Sequence, residues 1–404
     1  MLPARRRFVQ QLGALAALPW LPACAARIGA SGEPRGFDEQ RFAFELWQAS
    51  GMVGNAALSP ACVAMVLAML EVGARRQTLH EIDDALHVGR RGELVEVIAA
   101  RAAAWTGASE PRLRMAQALW VRPGLALDAS YVAAMTRFAA VARELPGEGV
   151  RAQEAVNAWV AEQTEQRIAT LVTEPPDPSV VAMLVSALHF EGTWADPFDP
   201  ERTSSYTFTR EDGVEIEVPT MVREQSFRVA MDGNDGEYPG YAIAELPYAG
   251  SLELDMLVIL PPRGLTLADS LAQLDHARLS ALIEMLDSST IPEGKMLLTL
   301  PRFRVASRLS LLEPLRELGI VDAFDRDAAD FRAMTDQLVH VGAFEHAVAL
   351  QVDEQGTVAS AAAVAEISNR SGPMRFFLDR PFFYVIRQRG GPWLFVGQVV
   401  DPLA

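Results

Sequence analysis

Eight stretches in the latter part of the chain read as β-strand, and no Gly/Ser-rich linker divides them from a helix-patterned first part. They cover 180–190, 215–222, 241–246, 253–260, 296–305, 346–352, 382–388 and 393–399, as short apolar or alternating runs. Short helical patterns at 267–274 and 309–318 fall between them. Helices first and strands afterwards predict an α+β fold. The length of 404 residues alone would allow two or three domains. With no linker-like boundary, the prediction is a single domain over 37–404.

The helical part has its own punctuation. Asn55-Ala56-Ala57-Leu58-Ser59 leads to Pro60, and serine before proline suits an N-cap followed by the first helical position. That helix is predicted to stop near Gly73. Thr78-Leu79-His80-Glu81 has the form of a capping box, with Leu79, Ile82 and Leu86 recurring at helical spacing. A longer helix is predicted over 153–172, with Val156, Trp159, Val160 and Ile168 on one side and Pro175-Pro176-Asp177-Pro178 closing it.

Half of the residues are hydrophobic, so a large core is available, yet no apolar run reaches the ~18–20 residues of a membrane helix. The formal charge of −16 argues against nucleic acid or an anionic membrane surface as partner. Basic pairs at Arg75–Arg76 and Arg90–Arg91 are interleaved with Glu81, Asp83, Asp84, Glu93 and Glu96, which reads as a solvated face.

Residues 1–30 read as an export signal. Arg5-Arg6-Arg7-Phe8-Val9 precedes an apolar stretch from Leu12 to Leu21, and small residues follow at Ala23-Cys24-Ala25-Ala26. The paired arginines before Phe8 resemble a twin-arginine signal. Leu21-Pro22-Ala23-Cys24 resembles a lipoprotein cleavage box, in which Cys24 would carry lipid and hold the protein at the envelope. The alternative is a plain cleavable leader, with Cys24 lost and the product extracellular or periplasmic. The only other cysteine, Cys62, lies in an apolar run and reads as a small buried hydrophobe.

An enzyme is the default for a chain this long. No Gly-x-Ser-x-Gly elbow, His-Glu-x-x-His helix, phosphate-binding glycine loop or Cys-x-x-Cys pair occurs. His80-Glu81 lacks the second histidine of a zinc site, and the six histidines are scattered. No cofactor or metal is called, and a catalytic role is not predicted.

The unusual stretch is 353–371. Read as a strand, one face carries Thr357, Ala359, Ala361, Ala363, Ala365 and Ile367; the other carries Val358, Ser360, Ala362, Val364, Glu366 and Ser368. The first face has no charge and no bulk until Ile367, and no proline interrupts the run before Pro373. Such a face suits a segment that slides between two existing strands and is buried without unpaired charge. The strand before it, alternating Val348, Leu350 and Val352, would be one neighbour. Intrinsic propensity favours another reading, an Ala-rich surface helix.

A series of motifs runs in order along the chain: Asn55 to Pro60, then Gly73-Ala74, Gln77-Thr78 and Glu81-Ile82. The longest is Ser186-Ala187-Leu188-His189-Phe190-Glu191-Gly192-Thr193-Trp194 with Pro197-Phe198. Leu300-Pro301-Arg302-Phe303 follows, then Leu318-Gly319-Ile320, Ala323-Phe324 and Ala329-Asp330-Phe331. Arg380-Pro381-Phe382, Phe395-Val396-Gly397 and Asp401-Pro402 close the series. From about Phe37 to Pro402 these motifs resemble the serpin family of serine protease inhibitors, here as a secreted bacterial member.

The resemblance implies a serpin fold with large mixed and antiparallel sheets and an exposed reactive-centre loop at about 354–375. It assigns Glu354, Gly356, Thr357, Val358, Ala359, Ser360, Ala361, Ala362 and Ala363 to the hinge of that loop. It places the scissile bond sixteen residues after Glu354, between Arg370 and Ser371, with a slip to Arg375 as the alternative register. The interval from Ser371 to Pro381-Phe382 also has the family length. Arginine before the bond suits a trypsin-like protease as partner, trapped covalently as an acyl-enzyme by a monomeric inhibitor. Ser59, Ser186 and His346 fall in the family's shutter, and Trp194 and Arg302 at the breach. The chain departs from the pattern in having Cys62 for a usual serine, Ser186 for asparagine, Arg302 for lysine, Val358 for glutamate and Ala363 for threonine. Two other readings remain: a non-inhibitory serpin acting as a binding or chaperone-like module, and a hydrolase with an unrecognised triad.

Overall fold

The computed structural model describes residues 37–89, 93–232, 240–290, 295–357 and 374–404. Its first long helix is α1, Pro60–Gly73, capped where the serine–proline pair predicts: the Ser59 hydroxyl accepts the Cys62 N–H at 3.3 Å. Nearly every α1 residue is buried. A helix apolar all round belongs inside a core rather than on a surface.

Against α1 lies the central sheet. Its strands are β1 (Arg112–Val121), β2 (Val141–Glu144), β3 (Ala182–Thr193), β4 (Phe303–Ser310) and β5 (Val341–Val352), in the spatial order β4-β5-β3-β1-β2. β5 and β3 are parallel neighbours; β4 pairs antiparallel with β5, and β1 antiparallel with β3. A second helix, α2 (Val150–Gln163), covers the sheet's other face.

Burial patterns explain the placement. β3 is buried almost end to end because both faces are covered, which is why it reads as a continuous apolar run. Leu184, Leu188 and Phe190 enter the main core with α1, while Met183, Val185 and Ala187 pack beneath Val156, Trp159 and Val160 of α2. β4 alternates buried and exposed residues, as an edge strand with one wet face does.

Two further sheets complete the structure. One runs Ala56–Leu58, Trp393–Val399, Phe382–Gln388, Leu254–Leu260, Ala242–Pro247, Val229–Met231 and closes the main core opposite the central sheet. The other runs Met374–Phe377, Met296–Pro301, Glu215–Gln225, Ser204–Thr209. The α+β class stands. Among the described residues no helix is long and apolar enough to cross a membrane, and no cluster of His, Cys, Asp and Glu could hold a metal.

Three local expectations need correction. The strand predicted over 296–305 is two strands that break at Arg302: Pro301 pairs with Thr220 in one sheet and Phe303 with Val352 in another. The helix predicted over 153–172 ends at Gln163, because Glu165 and Gln166 take left-handed φ values of 50° and 64°. Ile168 is nevertheless buried below it. The capping box at Thr78 does not form, since the helix starts at Arg76 and Thr78 is already inside it. Thr78 Oγ1 accepts the Asp330 N–H instead, and Glu81 accepts the N–H groups of Val321 and Asp322. The strand β1 was not anticipated at all.

Phe190 touches both packed layers, against Tyr248 at 5.0 Å and Phe395 at 6.0 Å between ring centroids. Phe190→Ala is expected to cost about 3–5 kcal/mol, the usual figure for truncating a buried aromatic. A chemical-denaturation midpoint unchanged by the substitution would contradict this packing.

Candidate functional site

The ladder between β5 and β3 stops short of their ends. Pairing runs from Val341↔Ala182 to Ala349↔His189; above it Leu350–Val352 and Phe190–Thr193 have no partners in each other. At this fork a cleft of about 290 Å³ opens, lined in part by His189, Ala349, Leu350, Gln351, Arg167 and Arg304.

Above the fork the chain leaving β5 turns back on itself. Asp353 N–H donates to Gly356 O at 2.9 Å, and the Gln355 N–H to Asp353 Oδ1 at 3.0 Å. Gly356 has φ +148°, and a Cβ there would stand 2.0 Å from Gly192 O, so only glycine fits. Gly356–Thr357 then forms β6, antiparallel to β3, with Gly356 opposite Thr193 and Thr357 opposite Gly192.

Trp194 fixes this turn. Its backbone N–H donates to Gln355 O at 2.8 Å and its indole N–H to Asp353 O at 3.0 Å. The indole stacks on Tyr248 at 4.5 Å, and the Tyr248 hydroxyl lies 3.0 Å from Thr357 Oγ1. Thr357 is fully buried. Glu354 is buried beside it and accepts from Arg302 Nε at 2.8 Å and from the Thr203 hydroxyl. Burial alone would raise the Glu354 carboxyl; the bonds from Arg302 and Thr203 outweigh it and hold the group below the usual carboxylate value. The usual lysine's replacement by Arg302 therefore keeps its ion pair.

Lower in the sheet, Gln117, Ser186 and His346 sit side by side on β1, β3 and β5. The Ser59 N–H donates to His346 Nε2 at 2.9 Å, so that nitrogen carries no proton. Gln117 Oε1, Ser186 Oγ and His346 Nδ1 are buried without a hydrogen-bond partner among the described residues. Cys62, in the first turn of α1, is fully buried, and burial pushes its thiol up to about 11.

Arg370, Ser371, Val358, Ala359, Ser360, Ala361, Ala362 and Ala363 lie outside the described residues, as does Cys24. Arg375 lies within the strand Met374–Phe377, which pairs in parallel with Met296–Thr299. Sequence reasoning missed Gln117, Thr203 and Tyr248. Gln117 had a signal, a lone polar residue in the apolar run from Met115 to Val121; the other two are joined to the site only by folding.

A family model described as Serpin (serine protease inhibitor) matches residues 38–402. The chain is a serpin. It is 31% identical to plasminogen activator inhibitor 1 of Sus scrofa over 366 residues, 86% of this chain and 87% of that protein. With glia-derived nexin of Homo sapiens it shares 30% over 365 residues, 86% of this chain and 88% of the other. Native tengpin, a thermophilic serpin, superposes with a TM-score of 0.79 over 90% of this chain and 93% of that one. At 22% identity that likeness speaks for the fold alone.

In this serpin the buried row makes stability depend on acid. Burial pulls the His346 imidazole down to about 4. Below about pH 6.5 the unfolded chain takes a proton that the folded chain refuses until about pH 4, so stability falls across that window. The full loss is about 3 kcal/mol. Between about pH 7.5 and 4.5 the denaturation midpoint of His346→Asn should therefore fall less than that of the wild type. Equal falls would show that His346 is not held neutral.

Proposed function

We propose that this serpin inhibits trypsin-like serine proteases as a suicide substrate, cleaved between Arg370 and Ser371 and trapping the enzyme by loop insertion. The single observation that carries the reading is β6: Thr357 is already paired antiparallel to β3, at the mouth of the fork.

Continuing the register Thr357↔Gly192 downwards sets Ala359 opposite Phe190, Ala361 opposite Leu188, Ala363 opposite Ser186, Ala365 opposite Leu184 and Ile367 opposite Ala182. Leu184, Leu188 and Phe190 face the main core. The small, uncharged face of the segment would thus enter the core between β5 and β3, where bulk or charge has no room. The insert would end where β3 begins. At ~3.3 Å per residue, the ten steps from Thr357 to Ile367 span about 33 Å of the sheet, and the protease tethered at Arg370 is drawn down behind them.

Chemically, the protease serine attacks the Arg370 carbonyl carbon, the peptide bond to Ser371 breaks, and the new α-amine leaves with the Ser371 side. Insertion must follow before water attacks the ester. Arginine selects a protease whose specificity pocket carries an aspartate. Arg375, tied into a paired strand, is the poorer bait. The leader 1–30 is read as taking the protein out of the cytoplasm, with Cys24 as the residue that would carry a lipid anchor.

Incubation with trypsin tests this directly. The expected result is a complex that survives denaturing electrophoresis, with a released peptide whose mass begins it at Ser371. Cleavage without a complex would favour the non-inhibitory binding module, and turnover of an unrelated ester a hydrolase. Thr357→Arg puts a charge into the buried step beside Tyr248 and should convert inhibitor to substrate. Unchanged stoichiometry of trapping by that variant would overturn insertion.

A further inference from the structure

We propose that His189 is a positioning residue for loop insertion: its imidazole bridges β3 and β5 at the last rung of their ladder, and the incoming strand must break that bridge. The inference rests on the inhibitory reading above, because insertion is the event it controls.

The geometry is specific. His189 is buried on β3, and Ala349 on β5 is both its register partner and its bonding partner, with Nδ1 3.2 Å from Ala349 O. A carbonyl only accepts, so Nδ1 carries the proton and donates. Directly above this pair the strands part. Inserting one strand takes β3 and β5 from about 4.8 Å to about 9.6 Å apart, so a side chain spanning them cannot keep its bond. Continuing the β6 register brings Ser360 opposite His189, the third step of entry beyond Thr357. The hold therefore acts after the hinge has begun to enter and before the segment commits.

The charged groups around the ring decide how the hold responds to acid. On β3, Glu191 Oε1 is 3.3 Å from His189 Nε2. From the segment after α2, Arg167 donates to the same oxygen at 3.1 Å. On β1, Arg114 is the register partner of His189 and is ion-paired with Glu165. β4 contributes Arg304, bonded to Gln351 of β5. Burial lowers the imidazole's pKa; Glu191 and the Ala349 carbonyl oppose it, and burial wins. The closed fork thus disfavours the protonated ring relative to an open fork, which wets it and lets it take a proton more readily. Acid therefore favours opening.

The test uses the intact protein without protease. A synthetic peptide with the sequence of residues 357–367 is annealed into the sheet, and its incorporation rate is followed by native mass spectrometry at about pH 8 and about pH 5.5. His346 stays neutral over that range, with its imidazole at about 4. His189→Phe, which cannot hold the carbonyl, should anneal about threefold to tenfold faster than wild type at the higher pH, the rate equivalent of one hydrogen bond. It should show little further gain in acid. His189→Gln keeps a donor and cannot titrate, so it should match wild type at the higher pH and fall behind it at the lower. Identical rates and pH profiles in all three forms would overturn the proposal, as would no annealing in any of them. His189-dependent annealing with no covalent trypsin complex would sink the inhibitory reading and leave the bridge standing.

Discussion

Two parallel strands that separate before their ends set the terms for the rest of this protein. β5 and β3 are paired as far as Ala349 and His189, then run on without each other. Each leaves backbone donors and acceptors of the unpaired stretch facing an interior gap rather than an outer edge. Sheet edges are usually blunted or covered because any extended chain can complete them. Here the chain that leaves β5 is itself placed to do so. It turns at Asp353–Gly356 and returns antiparallel on β3, the only direction open to a segment coming straight back from its own strand.

The closed arrangement around the gap is held by a set of modest contacts at three heights. At the top, Trp194 holds the turn through two carbonyls, and Arg302 and Thr203 hold the Glu354 carboxylate. At the fork, His189 spans the last rung. Lower down, His346 ties β5 to the cap of α1 through the Ser59 N–H. A net hydrogen bond contributes about 1 kcal/mol, so no single contact outweighs the burial that a complete central strand would gain. The closed arrangement is thus held by several small terms, each open to substitution. In the row of Gln117, Ser186 and His346, three buried polar atoms lack hydrogen-bond partners among the described residues. Serine in place of the family's asparagine removes a side chain that could have reached across it.

Much of this was legible in the chain. The Ser59–Pro60 cap, the apolar run of β3 and the alternation before residue 353 are local patterns, and local patterns survive into the fold. The failures share a cause. Thr78 and Glu81 have capping-box spacing, but the backbone groups they satisfy belong to Asp330, Val321 and Asp322, far along the chain. Arg302 gave no sign that the strand around it changes sheets, because both halves carry the same apolar pattern. β1 was missed because its polar/apolar alternation lasts only from Arg112 to Met115 before Gln117 breaks it, and its pairing with β3 supplies what propensity does not.

The class, the order of the motifs and the small uncharged face that makes insertion conceivable are written in the chain, since side-chain size and charge are properties of the residues alone. The chain also offered an Ala-rich helix for that same segment. Only the tertiary structure decided that the segment begins as a strand, because Gly356 can pass Gly192 O without a Cβ and Thr357 finds its partners on β3 and Tyr248. Only it revealed where β3 and β5 part, and that a histidine stands at that point. Those facts depend on which distant residues meet, and pairing across a sheet is not written in either strand alone.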